Sequence, residues 1–97
     1  MNKNLLMVID HQMNPGKYSK GQLKQNASEA AAIYAAYAAT DKDARYVYHA
    51  CVVTLINADA AYVATLIYKD VNYWIDQYFE VTKENKQDYI DEINKGK

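Results

Sequence analysis

The chain has 97 residues, of which 51% are hydrophobic, and its formal net charge is −1. This length and composition predict one folded domain over residues 1–97 and exclude a largely disordered chain. With only three Gly and one Pro, the sequence lacks the regularly spaced turn residues that an all-β protein of this length needs. We therefore predict an all-α fold.

The first 18 residues are predicted to form an N-terminal arm ahead of a helical bundle over residues 19–97. Within this arm, residues 4–10 (NLLMVID) fit either a short strand or one or two helical turns, because so short an apolar run carries no clear period. Asn14-Pro15-Gly16 then marks a firm break. We expect the segment before that break to be irregular or strand-like.

The first helix of the bundle has two possible starts. Ser19 with Gln22 forms one capping-box pattern, and Asn26 with Glu29 forms another. Between residues 23 and 37, apolar side chains recur at spacings of three and four, which predicts one buried helix face. The many alanines favour a helix and leave a thin surface that a neighbouring helix can approach closely.

The next segment, residues 44–68, is apolar almost all the way round. We predict a long central helix over about residues 41–69, with a break or a kink at residues 40–43. Residues 50–68 are long enough to suggest a membrane span. Asp59 lies near their middle, however, where an acidic side chain costs about 2.5–3.5 kcal/mol in a bilayer. We therefore expect a helix in a protein core, with no membrane partner.

Cys51 is the only cysteine of the chain, so no intramolecular disulfide and no cysteine metal cluster can form. It lies in an apolar run, where a thiol acts as a small hydrophobic group and is a poor nucleophile. Residues 5–9 are too short and too soon followed by Asp10 for a signal peptide. We expect a cytoplasmic protein.

Residues 70–80 keep a helical pattern and either continue the central helix or begin a new one with Asp70 as cap. Thr82 is the next plausible cap. Tyr89, Ile90 and Ile93 would form the apolar face of a last amphipathic helix. The predicted bundle therefore has three to four helices packed around the central one.

Ten tyrosines are the most unusual feature of the composition, and tyrosine is enriched at binding surfaces. Arg45, Val52 and Asp59 are also spaced by seven on one helix stripe. In an antiparallel homodimer crossing at Val52, Arg45 of each chain would lie opposite Asp59 of the other. We expect partner binding or self-association, as a dimer or higher homo-oligomer, through Arg45, Tyr48, Val52, Asp59, Tyr62 and Tyr73.

The loop GKYSKG, residues 16–21, supports an alternative hypothesis. Two glycines, two lysines and a following helix N-terminus could hold an anion, such as a phosphorylated nucleotide signal. The ligand-binding residues would then be Lys17, Tyr18, Ser19 and Lys20. The four lysines before residue 27 are too few to predict binding of double-stranded nucleic acid.

No catalytic or metal-binding spacing is present, and His11 and His49 are expected to be structural. We predict a protein that is not an enzyme and needs no cofactor or metal. It would bind and modulate or inhibit a larger protein partner through a tyrosine-rich helical surface. Its small size and its Lys-, Asn- and Tyr-rich composition resemble those of proteins encoded by phages and mobile elements.

Overall fold

The computed structural model describes residues 1–37, 40–58 and 70–96. In these residues the chain is all-helical, which confirms the predicted fold class. Five helices follow one another: α1 (Lys3–Met13), α2 (Lys20–Tyr34), α3 (Lys42–Ala58), α4 (Val71–Thr82) and α5 (Lys86–Lys95). Four of them lie within residues 19–97, where a bundle was predicted, and the N-terminal segment contributes the fifth.

This N-terminal helix replaces the irregular or strand-like arm that we predicted. Asn2 caps α1, because its side-chain oxygen accepts a hydrogen bond from the Leu5 N–H at 2.9 Å. Leu5, Val8 and Ile9 are at most 2% exposed. Residues at spacings of three and four share one face of a helix, whereas a strand would point Val8 away from the other two. Only the helix therefore buries all three side chains together.

Helix α2 begins at the first of the two capping patterns. The Ser19 N–H donates to Gln22 Oε1 at 2.7 Å, and the Gln22 N–H donates to Ser19 Oγ at 3.1 Å. The second pattern is not used as a cap, because Asn26 lies inside α2 and is only 6% exposed. Its side-chain oxygen accepts a hydrogen bond from Asn4 Nδ2 at 2.9 Å, which ties α2 to α1.

Helix α3 is separated from α2 by a turn, in which the N–H groups of Thr40 and Asp41 both donate to the Tyr37 carbonyl. It packs against α1, α2 and α4 and supplies Val47 and Ala50 to the core. Residues 59–69, the last eleven residues of the predicted central helix, lie outside the described residues. Within the described ranges, no helix is long and apolar enough to cross a bilayer.

The last two helices begin at side-chain caps. Of the two alternatives for residues 70–80, the structure shows the helix that begins with Asp70 as its N-cap. Lys83, in the left-handed conformation at φ 61°, ends α4. Thr82 does not cap the last helix, because its hydroxyl donates back to the Tyr78 carbonyl at 2.8 Å. Asn85 caps α5 instead and accepts from the N–H two residues later.

Candidate interaction surface

A continuous chain of ring contacts joins α3 to α4. The Tyr48 ring meets the His49 ring edge-on at 5.4 Å between centroids. The His49 ring stacks on Trp74 at 4.4 Å, and Trp74 meets Tyr73 edge-on at 4.9 Å. We call Tyr48, His49, Tyr73 and Trp74 the aromatic surface. Tyr73 is 39% exposed, and the other three are half-buried.

Contacts from α3 hold this surface in place. The His49 Nδ1 lies 2.7 Å from the Arg45 carbonyl one turn earlier, and because a carbonyl only accepts, Nδ1 carries the proton. Beneath the stack, the buried Tyr46 ring lies 6.0 Å from the Trp74 ring. The Arg45 guanidinium lies 5.2 Å from the centroid of the Tyr46 ring. The positive charge of Arg45 therefore lies at the edge of the aromatic surface.

The Trp74 indole adds an unpaired polar group. Its Nε1 is buried and has no hydrogen-bond partner among the described residues. A buried N–H without an acceptor typically costs about 1–3 kcal/mol.

The structure brings together three of the predicted partner-binding residues. Tyr48 and Tyr73 belong to the aromatic surface, and exposed Arg45 borders it. Val52 is half-buried, one helical turn after Tyr48. Asp59 and Tyr62 lie outside the described residues, so the proposed pairing of Arg45 with Asp59 across a dimer stays a prediction.

Two members of the aromatic surface were missed by sequence reasoning. The sequence pattern predicts only a structural role for His49, and it places Trp74 in the helical pattern of residues 70–80 without singling it out. Periodicity predicts which residues share a face of one helix, but not which residue of α4 will lie against which residue of α3. The sequence signal for such a contact would be one aromatic residue on a predicted face of each helix, and this signal is weak.

The predicted ligand loop is bonded to α1 through two of its side chains, while Lys17, Ser19 and Lys20 stay exposed. Lys17 Nζ and the Tyr18 hydroxyl both donate to Asp10 Oδ2 at 2.6 Å. Asn14 Nδ2 donates to the other carboxylate oxygen at 2.8 Å. Asp10 is only 5% exposed, and this set of four residues is called the Asp10 cluster. The Ser19 hydroxyl caps α2 and so is also engaged.

Electrostatics within the Asp10 cluster favour its ionised pair. Burial alone would raise the pKa of the Asp10 carboxyl, but the hydrogen bonds from Lys17, Tyr18 and Asn14 outweigh it and lower that pKa. The hydrogen bond to Asp10 raises the pKa of Lys17, and burial raises the pKa of Tyr18. At neutral pH the carboxylate and the ammonium are both charged. The charge of Lys17 is therefore already paired within the fold, which makes it less available to a bound anion. Lys20 is exposed at the start of α2.

Cys51 and His11 each have a buried titratable atom outside the aromatic surface and the Asp10 cluster. Cys51 is 1% exposed, and burial raises the pKa of its thiol to about 12, although a hydrogen bond from Asn26 lowers it in part. The thiolate that acts as nucleophile or metal ligand is therefore scarce at neutral pH. His11 Nδ1 is buried without a hydrogen-bond partner in the described part of the chain. Over the same residues, no three His, Cys, Asp or Glu side chains are placed to hold a metal ion.

Comparison with known proteins adds no family or relative. No family model matches the chain, and neither a curated protein nor a solved structure is significantly similar to it. The functional interpretation therefore depends on the geometry of the aromatic surface.

Proposed function

We propose that the protein is a small, non-enzymatic interaction protein that binds a larger protein partner through the aromatic surface and thereby modulates or inhibits it. The observation that carries this proposal is the ring chain Tyr48–His49–Trp74–Tyr73 across α3 and α4. Tyrosine and tryptophan are the residues that contribute most binding energy at protein interfaces. Three such rings, together with the His49 ring between Tyr48 and Trp74, form a compact set of contact groups.

The aromatic surface is also held in one arrangement before binding. Each ring contacts a neighbouring ring, and His49 is hydrogen-bonded to the backbone of α3. Side chains that are already ordered lose less conformational entropy when a partner binds. Arg45 beside the rings supplies a charge at the rim, and arginine is likewise enriched at interfaces. A partner with an acidic edge next to an apolar pocket would match this arrangement.

The absence of enzymatic activity is part of the proposal and has separate support. Asp10 is the described carboxyl group whose pKa is lowered by its neighbours, and it accepts three hydrogen bonds from its own chain. The Cys51 thiol is buried and protonated. Neither group is placed to act on a substrate.

Site-specific photo-crosslinking in the native host provides a direct test. A benzophenone amino acid is placed at Tyr73, which is 39% exposed, and in a second strain at Val81, which lies on the same helix and is 40% exposed. We expect one stoichiometric larger protein to be crosslinked from position 73 and not from position 81. The purified partner should then bind Tyr73→Ala and Tyr48→Ala at least about tenfold more weakly than wild type.

Two results would contradict the proposal. The first is equal crosslinking from both positions, which would mean that the captured protein is a random neighbour. The second is unchanged affinity of Tyr73→Ala, Tyr48→Ala and Val81→Ala for the purified partner.

A thermal-shift measurement with nucleotides tests the loop-binding alternative. Nucleotides should cause no thermal stabilisation that depends on Lys17 and Lys20; such stabilisation would favour that alternative.

A further inference from the structure

The aromatic surface contains a histidine at its centre. Histidine is the side chain that ordinarily changes its charge between pH 5 and 8. The His49 ring stacks on Trp74 at 4.4 Å between centroids and 25° between ring planes. Tyr48 and Tyr73 meet this stack edge-on from either side. A charge gained by His49 therefore appears in the middle of the surface that we propose binds the partner.

The hydrogen bond to the backbone determines which ring nitrogen gains that charge. Nδ1 of His49 lies 2.7 Å from the Arg45 carbonyl, so Nδ1 carries the proton of the neutral ring. Nε2 is then the unprotonated nitrogen, with its lone pair in the ring plane. Acidification adds a proton at Nε2 and leaves the bond to the Arg45 carbonyl in place. The ring becomes a cation without having to leave its stack on Trp74.

Two neighbours act on the charge of His49 in opposite directions. The face of an indole attracts a cation, so the contact with Trp74 favours the charged ring. The Arg45 guanidinium, on the helical turn before His49, is itself a cation and opposes a second positive charge. Tyr48 contributes a ring edge and no formal charge.

No carboxylate in the described part of the chain forms an ion pair with His49 or Arg45. The acids of α4 nearest to Trp74 in sequence are Asp70 and Asp76. Asp70 is engaged as the N-cap of α4, and Asp76 lies two residues after Trp74, on the other side of the helix. Protonation of His49 therefore takes the aromatic surface and its rim from one positive charge to two.

We propose that protonation of His49 regulates the aromatic surface, so that the protein binds its partner more tightly as the pH falls from about 8 to about 5.5. This inference rests on the proposed function, in which the partner brings an acidic edge to Arg45. Carboxylates of such a partner stay ionised over this pH range, and a second cation on the surface attracts them. Exposed charge pairs have modest effects, so we expect the Kd to fall by about twofold to fivefold.

Fluorescence of the free protein tests the stack itself. Trp74 is the only tryptophan of the chain, so its emission reports on the stack without a label. A protonated imidazole in contact with an indole accepts an electron from the excited ring and quenches its emission. The emission should therefore fall on acidification, fall equally in His11→Gln, which removes the other histidine, and stay level in His49→Gln. Arg45→Gln removes the opposing cation and should move the midpoint to higher pH.

Calorimetric titration tests the regulation, with the partner that is captured by crosslinking from position 73. The Kd of the purified partner is measured at pH 8 and at pH 5.5 for wild type, His49→Gln and His11→Gln. The tighter binding at pH 5.5 should be lost in His49→Gln only. A pH dependence of the partner itself appears equally in all three proteins, so it cancels when their ratios are compared. Circular dichroism at both pH values checks that each variant remains helical.

Two results would overturn this inference and leave the proposed function intact. One is emission that does not fall on acidification, or that falls equally in His49→Gln, since His49 would then not become charged against Trp74. The other is a partner that Tyr73→Ala binds more weakly, but whose affinity for the wild type does not rise at pH 5.5 or rises equally for His49→Gln. A partner whose affinity is unchanged by Tyr73→Ala and Tyr48→Ala would contradict the proposed function instead, whatever the fluorescence shows.

Discussion

Two tyrosine-rich regions of this protein use the same side chain in opposite ways. In the first, Tyr78 and Tyr89 are 4% and 1% exposed, and both hydroxyls donate to the carboxylate of Glu84, at 2.5 and 2.7 Å. Tyr89 also accepts a hydrogen bond from the Asn2 N–H at 2.8 Å, which joins α5 to the start of α1. We call these four residues the Glu84 network.

In the second region, the aromatic surface, rings contact other rings and part of each side chain faces solvent. Burial raises the pKa of Tyr78 and Tyr89 in the Glu84 network, since a phenolate would lose its hydration there. We therefore expect a tyrosine whose hydroxyl is bonded in the core to contribute mainly to stability, and an exposed ring such as that of Tyr73 to contribute mainly to partner binding. Stability measurements on both regions test this expectation.

The largest effect is expected from Tyr89→Ala, in the Glu84 network. The change removes a fully buried ring and leaves the Asn2 N–H without its acceptor. Aromatic-to-alanine changes in a core lower the free energy of unfolding by about 3–5 kcal/mol. Urea denaturation measures this loss. Tyr89→Phe keeps the ring and should cost much less; equal losses would assign the effect to the hydroxyl alone.

A smaller effect is expected from Asp10→Asn, in the Asp10 cluster. Replacing the carboxylate removes the ion pair with Lys17 and weakens two other hydrogen bonds at a buried site. We expect unfolding free energy to fall by about 1–3 kcal/mol at pH 7. Lys24→Gln, which neutralises an exposed charge on α2, is the control and should change stability very little.

The stability difference between wild type and Asp10→Asn should also depend on pH. The folded pKa of Asp10 is lowered, so the unfolded chain binds the proton more readily and the contribution of Asp10 is present above its unfolded pKa of about 3.9. That contribution is lost as the pH falls through the folded pKa. The stability difference between wild type and Asp10→Asn should be constant from about pH 5 to 8 and shrink below about pH 4. A difference that grows on acidification would refute this assignment.

Glu84→Gln should have a moderate effect, about 1 kcal/mol. Glutamine keeps one acceptor oxygen, so one of the two tyrosine hydroxyls loses its acceptor. Chemical denaturation compares Glu84→Gln with Glu80→Gln, which changes an exposed glutamate of α4. The difference between their unfolding free energies measures what the hydrogen bonds to Glu84 contribute. If the two variants are equally stable, the Glu84 network does not stabilise the fold beyond the burial of its rings.

The smallest stability effect is expected from Tyr73→Ala, in the aromatic surface. The ring is 39% exposed and has an edge contact with Trp74. Such a contact contributes about 0.5–1.5 kcal/mol, so the loss should lie at the low end, below about 1 kcal/mol, while affinity for a partner falls. A stability loss comparable to that of Tyr89→Ala would place Tyr73 in the core and remove the contrast between the two regions.

Several elements could be predicted from local patterns. The capping box at Ser19 and the cap at Asp70 are local, because the bonded groups are two or three residues apart. The apolar spacing of Tyr89 and Ile93 was likewise enough to predict the buried face of α5. Residues 4–10 were not predictable in this way, since a seven-residue apolar run fits strand and helix equally until its neighbours are known.

The sequence thus predicted the helical class and the burial of Cys51, and it narrowed the starts of α2 and α4 to two alternatives each, because these features depend on composition or on residues within one turn. Three sets of contacts became visible only in the folded chain. Asp10 pairs with Lys17 and Tyr18, Tyr89 meets Asn2 across 87 residues, and His49 stacks on Trp74. These contacts depend on how whole helices pack. Many packings satisfy the same helical periodicity, so the periodicity cannot specify them.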